Sequence, residues 1–297
     1  MISFSATNYD YTKGKLNELV DIIISEETSL FVSAVGVPPR EVVERLHKAG
    51  IPYMNMVGHP KHVQKCLDAG VDIICAQGGE GGGHTGDVPT TVLIPQVVDL
   101  CKGKKSPLTG KDVTVLAAGA MYRGSSLAAA LMMGAQGIWV GTRFILADEA
   151  GAPKAHQEAV RTASYEDTVR TIIFTVCPPT QRFLQNYDML LTYSFLSIQG
   201  RPLRVRKNSY IQNWEENRRA DIKKLTSQGT IPVEHDIEEL DKADKLDDET
   251  MDNSRPFLMG KVAAVVNEKK PAKAIVDEIV AEAVEQLKKA NQVLAKL

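Results

Sequence analysis

Val71-Asp72-Ile73-Ile74-Cys75-Ala76 runs directly into Gln77-Gly78-Gly79-Glu80-Gly81-Gly82-Gly83-His84-Thr85-Gly86, and the fold turns on this stretch. Val71 to Cys75 is short and largely apolar, without clean alternation. That predicts a strand buried on both faces, as in a parallel sheet. The loop that follows holds six glycines in ten residues. Each glycine costs conformational entropy on ordering, so this density predicts a backbone that approaches a ligand closely and offers it N–H groups. His84 is the one side chain in the loop that exchanges protons near neutral pH.

Outward from this loop the chain repeats strand and helix. Strands are predicted at Leu30–Val35, Tyr53–Val57, Thr114–Ala117 and Gly137–Val140. Helices are predicted from Pro38-Pro39 to near Gly50, from His59-Pro60 to Gly70, over Val92–Leu100 and over Ser125–Met133. This is a parallel β/α sheet, and on these residues alone both a doubly wound sheet and an eight-stranded barrel remain open. Two further segments, Leu116 to Gly124 and Gly137 to Phe144, run from strand into small-residue turns. Consecutive turns of this kind seat a phosphate on backbone N–H groups and a helix N-terminus, or else pack strand on helix tightly. For the glycine loop three readings compete. Gly81-x-Gly83-x-x-Gly86 formally matches a dinucleotide fingerprint, but Asp87-Val88-Pro89 follows where a helix should open. A purely structural loop is the second. A flavin or phosphate ligand with His84 facing the substrate is the third, and it is carried forward.

Beyond Phe144 the repeat stops. Ala152 to Ala163 reads as a helix, and residues 201–252 are basic early and acidic late, a pattern of solvated surface. Ala272 to Leu297 reads as an amphipathic helix with Ile275, Ile279, Ala283, Leu287 and Leu294 on the face that docks. The resulting organisation is residues 1–150 as a partial β/α barrel, 151–260 as a lid or charged extension, and 261–297 as a docking helix. The net charge of −2 gives no electrostatic case for nucleic acid or an anionic membrane. The four cysteines (Cys66, Cys75, Cys101, Cys177) are too scattered for a disulfide framework or a metal site. No apolar run approaches the roughly 18 residues of a membrane span, and the first residues lack a signal peptide's apolar core. A soluble intracellular protein is expected.

Taken together, Gln77 to Gly86, Ala117 to Ala120 and Gly141-Thr142-Arg143-Phe144 resemble the nitronate monooxygenase family, especially its fungal branch. The resemblance continues through Asp148 to Pro153, Gly200 to Arg204, Asn213-Trp214-Glu215 and the last helix. It implies a TIM (β/α)8 barrel of the FMN-binding type with a C-terminal helical extension. The segments from Leu30 to Val140 would be strands four to eight of an incomplete barrel. Gln77, Gly82 and Gly83 would contact FMN; Gly119, Ala120, Gly141 and Thr142 would hold its phosphate; His84 would be catalytic. The implied reaction is oxidation of an alkyl nitronate by FMN and O2, giving a carbonyl compound and nitrite. No metal is implied, and the partners are a nitronate or nitroalkane and O2. Ala120 departs from the family, which has a second glycine there, and its methyl group is expected to crowd the phosphate.

Two places depart from the pattern. The resemblance at the front starts only at Thr7-Asn8-Tyr9-Asp10-Tyr11, so Met1 to about Ala6 reads as foreign and three β/α units as missing. Residues 176–199 interrupt a segment in which Thr175 would join Gly200 smoothly; Val codons begin GT and a Gln codon can be CAG, which suggests a retained intron. An FMN-dependent enoyl reductase and a non-catalytic truncated product are the alternative functions. The ending Ala295-Lys296-Leu297 is close to a peroxisomal address, so cytosol and peroxisome are both expected locations.

Overall fold

The computed structural model describes residues 2–3, 14–34, 36–175 and 201–294. Its main sheet holds β1 (Ile2–Ser3), β2 (Phe31–Ala34), β3 (Tyr53–Val57), β4 (Ile73–Gln77), β6 (Thr114–Ala118) and β7 (Gly137–Trp139), in that order across the sheet. Every pairing is parallel. A short strand, β5 (Gly83–His84), belongs to a second sheet described below. Helices α1 (Leu16–Ser25), α2 (Arg40–Lys48), α3 (Val63–Asp68), α4 (Thr90–Cys101) and α5 (Gly124–Met132) alternate with the strands. Their punctuation follows the sequence: Pro39 and Pro89 stand at the entries of α2 and α4, while Gly50, Gly70 and Gly134 follow the ends of α2, α3 and α5 with positive φ.

Because side chains alternate across a strand, the sheet has two apolar faces. Tyr53, Val57, Ile74, Ala76, Val115 and Ala117 pack with helix residues such as Leu46, Leu93 and Val97 in the larger core. Met54, Cys75 and Ala118 form a smaller cluster with Met56, Leu116 and Trp139. Each large side chain fully buried in this way contributes roughly 1.5–3 kcal/mol.

Three details differ from the sequence reading. The strand expected at Val71–Cys75 runs two residues later. The Val71 N–H closes α3 onto the Cys66 carbonyl (3.1 Å), and the Asp72 carboxylate accepts from the Tyr53 N–H (2.7 Å) and the Ser106 hydroxyl (2.6 Å). Gln77 therefore ends a strand rather than starting a loop. Ile2 and Ser3 pair in register with Ser33 and Ala34, adding an edge strand that the sequence reading did not place. Finally, the glycine loop contains β5, which pairs antiparallel with β9 (Leu203–Arg206); β9 in turn pairs with β8 (Thr168–Thr171).

The rest is helical: α6 (Thr142–Ile145), α7 (Lys154–Arg161), α8 (Ser209–Asn217), α9 (Arg219–Ser227), α10 (Pro232–Lys242), α11 (Asp248–Asn253) and α12 (Ala272–Leu294). Trp214, Ile211, Ile222 and Leu225 from α8 and α9 bury against Val205 of β9 and Ile173. Ile275, Ile279 and Ala283 of α12 are buried, as its apolar face predicts, and the helix docks on α5. The Lys289 ammonium lies 2.7 Å from the Glu285 carboxylate, the expected pair four residues apart. Among the described residues no helix is long and apolar enough to cross a membrane. The retained-intron reading of 176–199, the Thr7–Tyr11 resemblance and the terminal Ala295-Lys296-Leu297 lie outside the described residues.

Candidate active site

Ala34, Val57, Gln77, Ala118 and Trp139 are the last residues of β2, β3, β4, β6 and β7, and all five line one cavity of about 830 Å³. The carboxyl end of a parallel sheet is where ligands bind in this class of fold. The same cavity brings together all eight residues singled out from the sequence: Gln77, Gly82, Gly83, His84, Gly119, Ala120, Gly141 and Thr142. Arg201, Pro202, Leu258, Gly260 and Val262 complete its wall from the far end of the chain.

The glycines divide by what surrounds them, and most are not explained by a ligand. A Cβ on Gly86 would lie 2.1 Å from the Gly58 carbonyl oxygen, one on Gly78 2.0 Å from the Thr90 hydroxyl, and one on Gly82 2.6 Å from the Met259 carbonyl carbon. Gly119, at φ +82°, would bring a Cβ 2.8 Å from the Gly78 oxygen. Gly78, Gly82 and Gly86 of the loop are thus hemmed in by other parts of the chain rather than by a ligand, whereas Gly83 meets only the Leu258 side chain, at 3.8 Å. Gly141 is different: a Cβ there meets nothing within 4 Å.

The loop is fastened from several sides. Gly78 and Gly79 donate to the Ala118 and Val88 carbonyls (both 2.9 Å), and the Gln77 amide donates to the Gly82 carbonyl (3.3 Å). Arg204, buried beneath the loop, donates to the Gly79 carbonyl at 2.8 Å. Burial, and then the neighbouring Arg170, pull the Arg204 guanidinium below its ordinary pKa, while Glu80 and Asp87 pull the other way. Arg170 pairs with Asp87. Sequence reading missed both arginines, because a basic stretch reads as surface. The alternation Leu203-Arg204-Val205-Arg206 was the available signal for β9.

Two helix N-termini near the cavity already hold an anion from the protein. The Glu80 carboxylate accepts from the Thr90 N–H (3.1 Å) and hydroxyl (2.6 Å) at the start of α4. Glu282 of α12 accepts from the Gly124 N–H (2.8 Å) at the start of α5 and from the Arg123 guanidinium (2.8 Å). Gly124 permits that approach, since a Cβ there would lie 2.4 Å from the Ala283 nitrogen. The expected use of the α5 N-terminus for a phosphate is thus corrected. The dinucleotide reading meets the same obstacle at α4, which does open three residues after Gly86 but carries Glu80 on its first turn.

What remains for a phosphate is the pair of turns themselves. Among the described residues the N–H groups of Ala120, Gly141 and Thr142 find no acceptor in the turns and loops, whereas the Ala118–Trp139 pairing of β6 and β7 takes up the N–H of Gly119. The Thr142 hydroxyl accepts from the Gly260 N–H (2.9 Å), which ties the second turn to the far wall. Unpaired N–H groups beside an open space fit the phosphate of FMN. Ala120 sits at φ +57°, a left-handed conformation that favours glycine.

His84 is positioned by backbone pairing with Leu203 across β5 and β9. The residue is exposed toward the open side of the cavity, and partial desolvation, then the charge of Arg201, lower its imidazole below the ordinary value. On the β3 side, the cavity is lined by His59, Lys61, His62 and Lys65, with Arg201 from the chain before β9.

The family model described as nitronate monooxygenase matches residues 2–282. A Mycobacterium tuberculosis protein named as a monooxygenase is 40% identical over 160 residues, which is 54% of this chain and 40% of that protein. A Rhodococcus jostii protein named (3aS,4S,5R,7aS)-5-hydroxy-7a-methyl-1-oxo-octahydro-1H-indene-4-carboxyl-CoA dehydrogenase is 38% identical over 149 residues, 50% of this chain and 39% of that one. These matches span about two fifths of the relatives' length. Among solved structures, FabK from Thermotoga maritima superposes over 98% of this chain and 78% of its own, with a TM-score of 0.68 and 22% identity, a likeness of fold.

Proposed function

The chain belongs to the nitronate monooxygenase family, and we propose that it binds FMN and oxidises an alkyl nitronate with O2 to a carbonyl compound and nitrite. The observation that carries this reading is the convergence of His84 with the unpaired N–H groups of two turns on one cavity at the strand ends. When bound, FMN supplies the acceptor for the substrate's electrons. Ala120, Gly141 and Thr142 hold its phosphate with backbone N–H groups, Gly119 makes the turn that presents Ala120, and Gln77, Gly82 and Gly83 border its ring system. Neutral His84 takes the α-proton of a nitroalkane onto a ring nitrogen, and the resulting imidazolium then holds the nitronate by a charge-assisted hydrogen bond. The apolar walls, among them Met56, Trp139 and Ile145, limit water around that ion pair. Placement in the fungal branch rests only on the sequence resemblance of the segments from Gln77 to Gly86 through the last helix, taken together.

A second reading, reduction or dehydrogenation of an acyl thioester, is favoured by the 38% identity to a relative named for a carboxyl-CoA substrate. One experiment separates the two. Purified protein saturated with FMN is given propyl nitronate while nitrite release and oxygen uptake are followed, and in parallel NADPH with crotonyl-CoA while NADPH is followed. Nitrite with matching oxygen uptake supports the first reading. NADPH loss without nitrite overturns it in favour of the second, and a folded protein that takes up no FMN overturns both.

A further inference from the structure

The cavity has two ends suited to anions, and they are built differently. One lies at β6 and β7, where uncharged N–H groups of the two turns await a single phosphate. The other lies beyond β4, at the end of β3, where His59 and the stretch from Lys61 to Lys65 turn toward the opening. There Lys61, His62 and Lys65 meet Arg201, which arrives from the chain before β9. Lys61 and Lys65 form no ion pair or hydrogen bond from their side chains among the described residues. The acids that also line the cavity are occupied, Glu80 by the start of α4 and Asp87 by Arg170.

The charges of Lys61, Lys65 and Arg201 all bear on His62. His62 is held below its ordinary pKa by burial first, and then by Lys61, His59, Arg201 and Lys65. Lys61 and Lys65, close together and with no acid on either side chain, cost stability there unless a ligand neutralises them. FMN carries one phosphate and cannot occupy both ends, which are separated by the width of β4 in the sheet order β3-β4-β6-β7. The small monoanion of a simple nitronate does not match four basic side chains either.

We propose that the basic rim formed by Lys61, His62, Lys65 and Arg201 binds an organic diphosphate or phosphate tail, so that the substrate or co-substrate of this cavity carries a phosphorylated handle while its reacting end lies by His84. The inference rests on the FMN reading of the other end of the cavity. The handle could belong to an acyl-coenzyme A or to NADPH, whose phosphate chemistry is shared.

Calorimetric titration of the FMN-loaded protein tests this with four probes: inorganic pyrophosphate, butyryl-CoA, NADPH and acetate. Pyrophosphate and at least one of the two nucleotides should bind, steeply weakened by salt, whereas acetate should not. In Lys61→Ala/Lys65→Ala the affinity should fall about tenfold or more, and Lys61→Arg/Lys65→Arg should restore most of it. Which nucleotide binds more tightly identifies the source of the handle. Equal binding by wild type and the alanine variant, when both melt alike, overturns the proposal. So does release of FMN by pyrophosphate, because it would place the flavin phosphate on the rim. If the protein takes up no FMN, the same titrations on the apoprotein score the rim separately: binding lost in the alanine variant supports it, and no binding overturns it.

Discussion

Ala120 carries a methyl group at a φ of +57°. That conformation costs an L-residue about 1–2 kcal/mol, partly offset by the 0.4–1 kcal/mol that glycine loses through its freer unfolded chain. Ala120→Gly is therefore expected to stabilise the protein by up to about 1 kcal/mol, raising Tm by roughly 2–4 °C. Thermal unfolding checks this, and a lower Tm would mean that the methyl group packs usefully. His84 sets the second residue-scale expectation. Its pKa is lowered, so proton removal from a nitroalkane should be steady from neutral pH upward and decline as pH falls through the depressed value. His84→Asn should lose that limb and roughly 100-fold in kcat/KM; an unchanged pH profile would remove His84 from proton transfer. His84 was legible in the sequence because an imidazole among glycines has few other uses. The glycines themselves were misread, since sequence cannot tell whether a missing Cβ makes room for a ligand or for Gly58 and Met259.

At the scale of elements, the parallel strands and their helices from Leu30 to Val140 were readable from their proline and glycine punctuation, while α1 and β5 were not. The three-stranded sheet was not. Two arginines in four residues suggested solvent, yet Arg204 is buried under the glycine loop, where its guanidinium finds the Gly79 carbonyl. Strands β8 and β9 also bear on the segment between them. Thr171 stands opposite Leu203, and the Thr175 hydroxyl donates to the Arg201 carbonyl at 3.2 Å, so the flanks already meet. Joining Thr175 directly to Gly200 by deleting 176–199 should leave Tm equal or higher, as measured by calorimetry. A deletion protein that melts earlier would show that the segment contributes to the fold. Sequencing of transcripts is the companion measurement: reads that cross 176–199 unbroken in most messages would dispose of the intron explanation.

At the scale of the whole molecule, the last helix is tied to the first half through Glu282. Arg123 and the N–H groups of Gly124 and Ser125 hold this carboxyl below its ordinary pKa, against a smaller effect of burial. A depressed carboxylate stabilises the fold above its unfolded pKa and loses that contribution as pH drops through the folded value. Glu282→Ala is expected to cost about 1 kcal/mol at pH 7, as for loss of a helix cap. Urea denaturation should find the gap between variant and wild type closing as pH falls below the ordinary carboxylate range. A gap that persists there would assign the effect to packing. Sequence periodicity was sufficient to predict that α12 docks, but not on which helix. The Gly124 notch that receives Ala283 is one glycine among 22 until the chain is folded.

The bond from the Gly260 N–H to the Thr142 hydroxyl spans 118 positions of chain. A ribosome moving at roughly 5–20 residues per second needs about ten seconds to cover that distance. For that interval the turns at Ala120 and Gly141 stand without the wall that Gly260 brings to the Thr142 hydroxyl, and only arrival of that late segment makes them a receptacle.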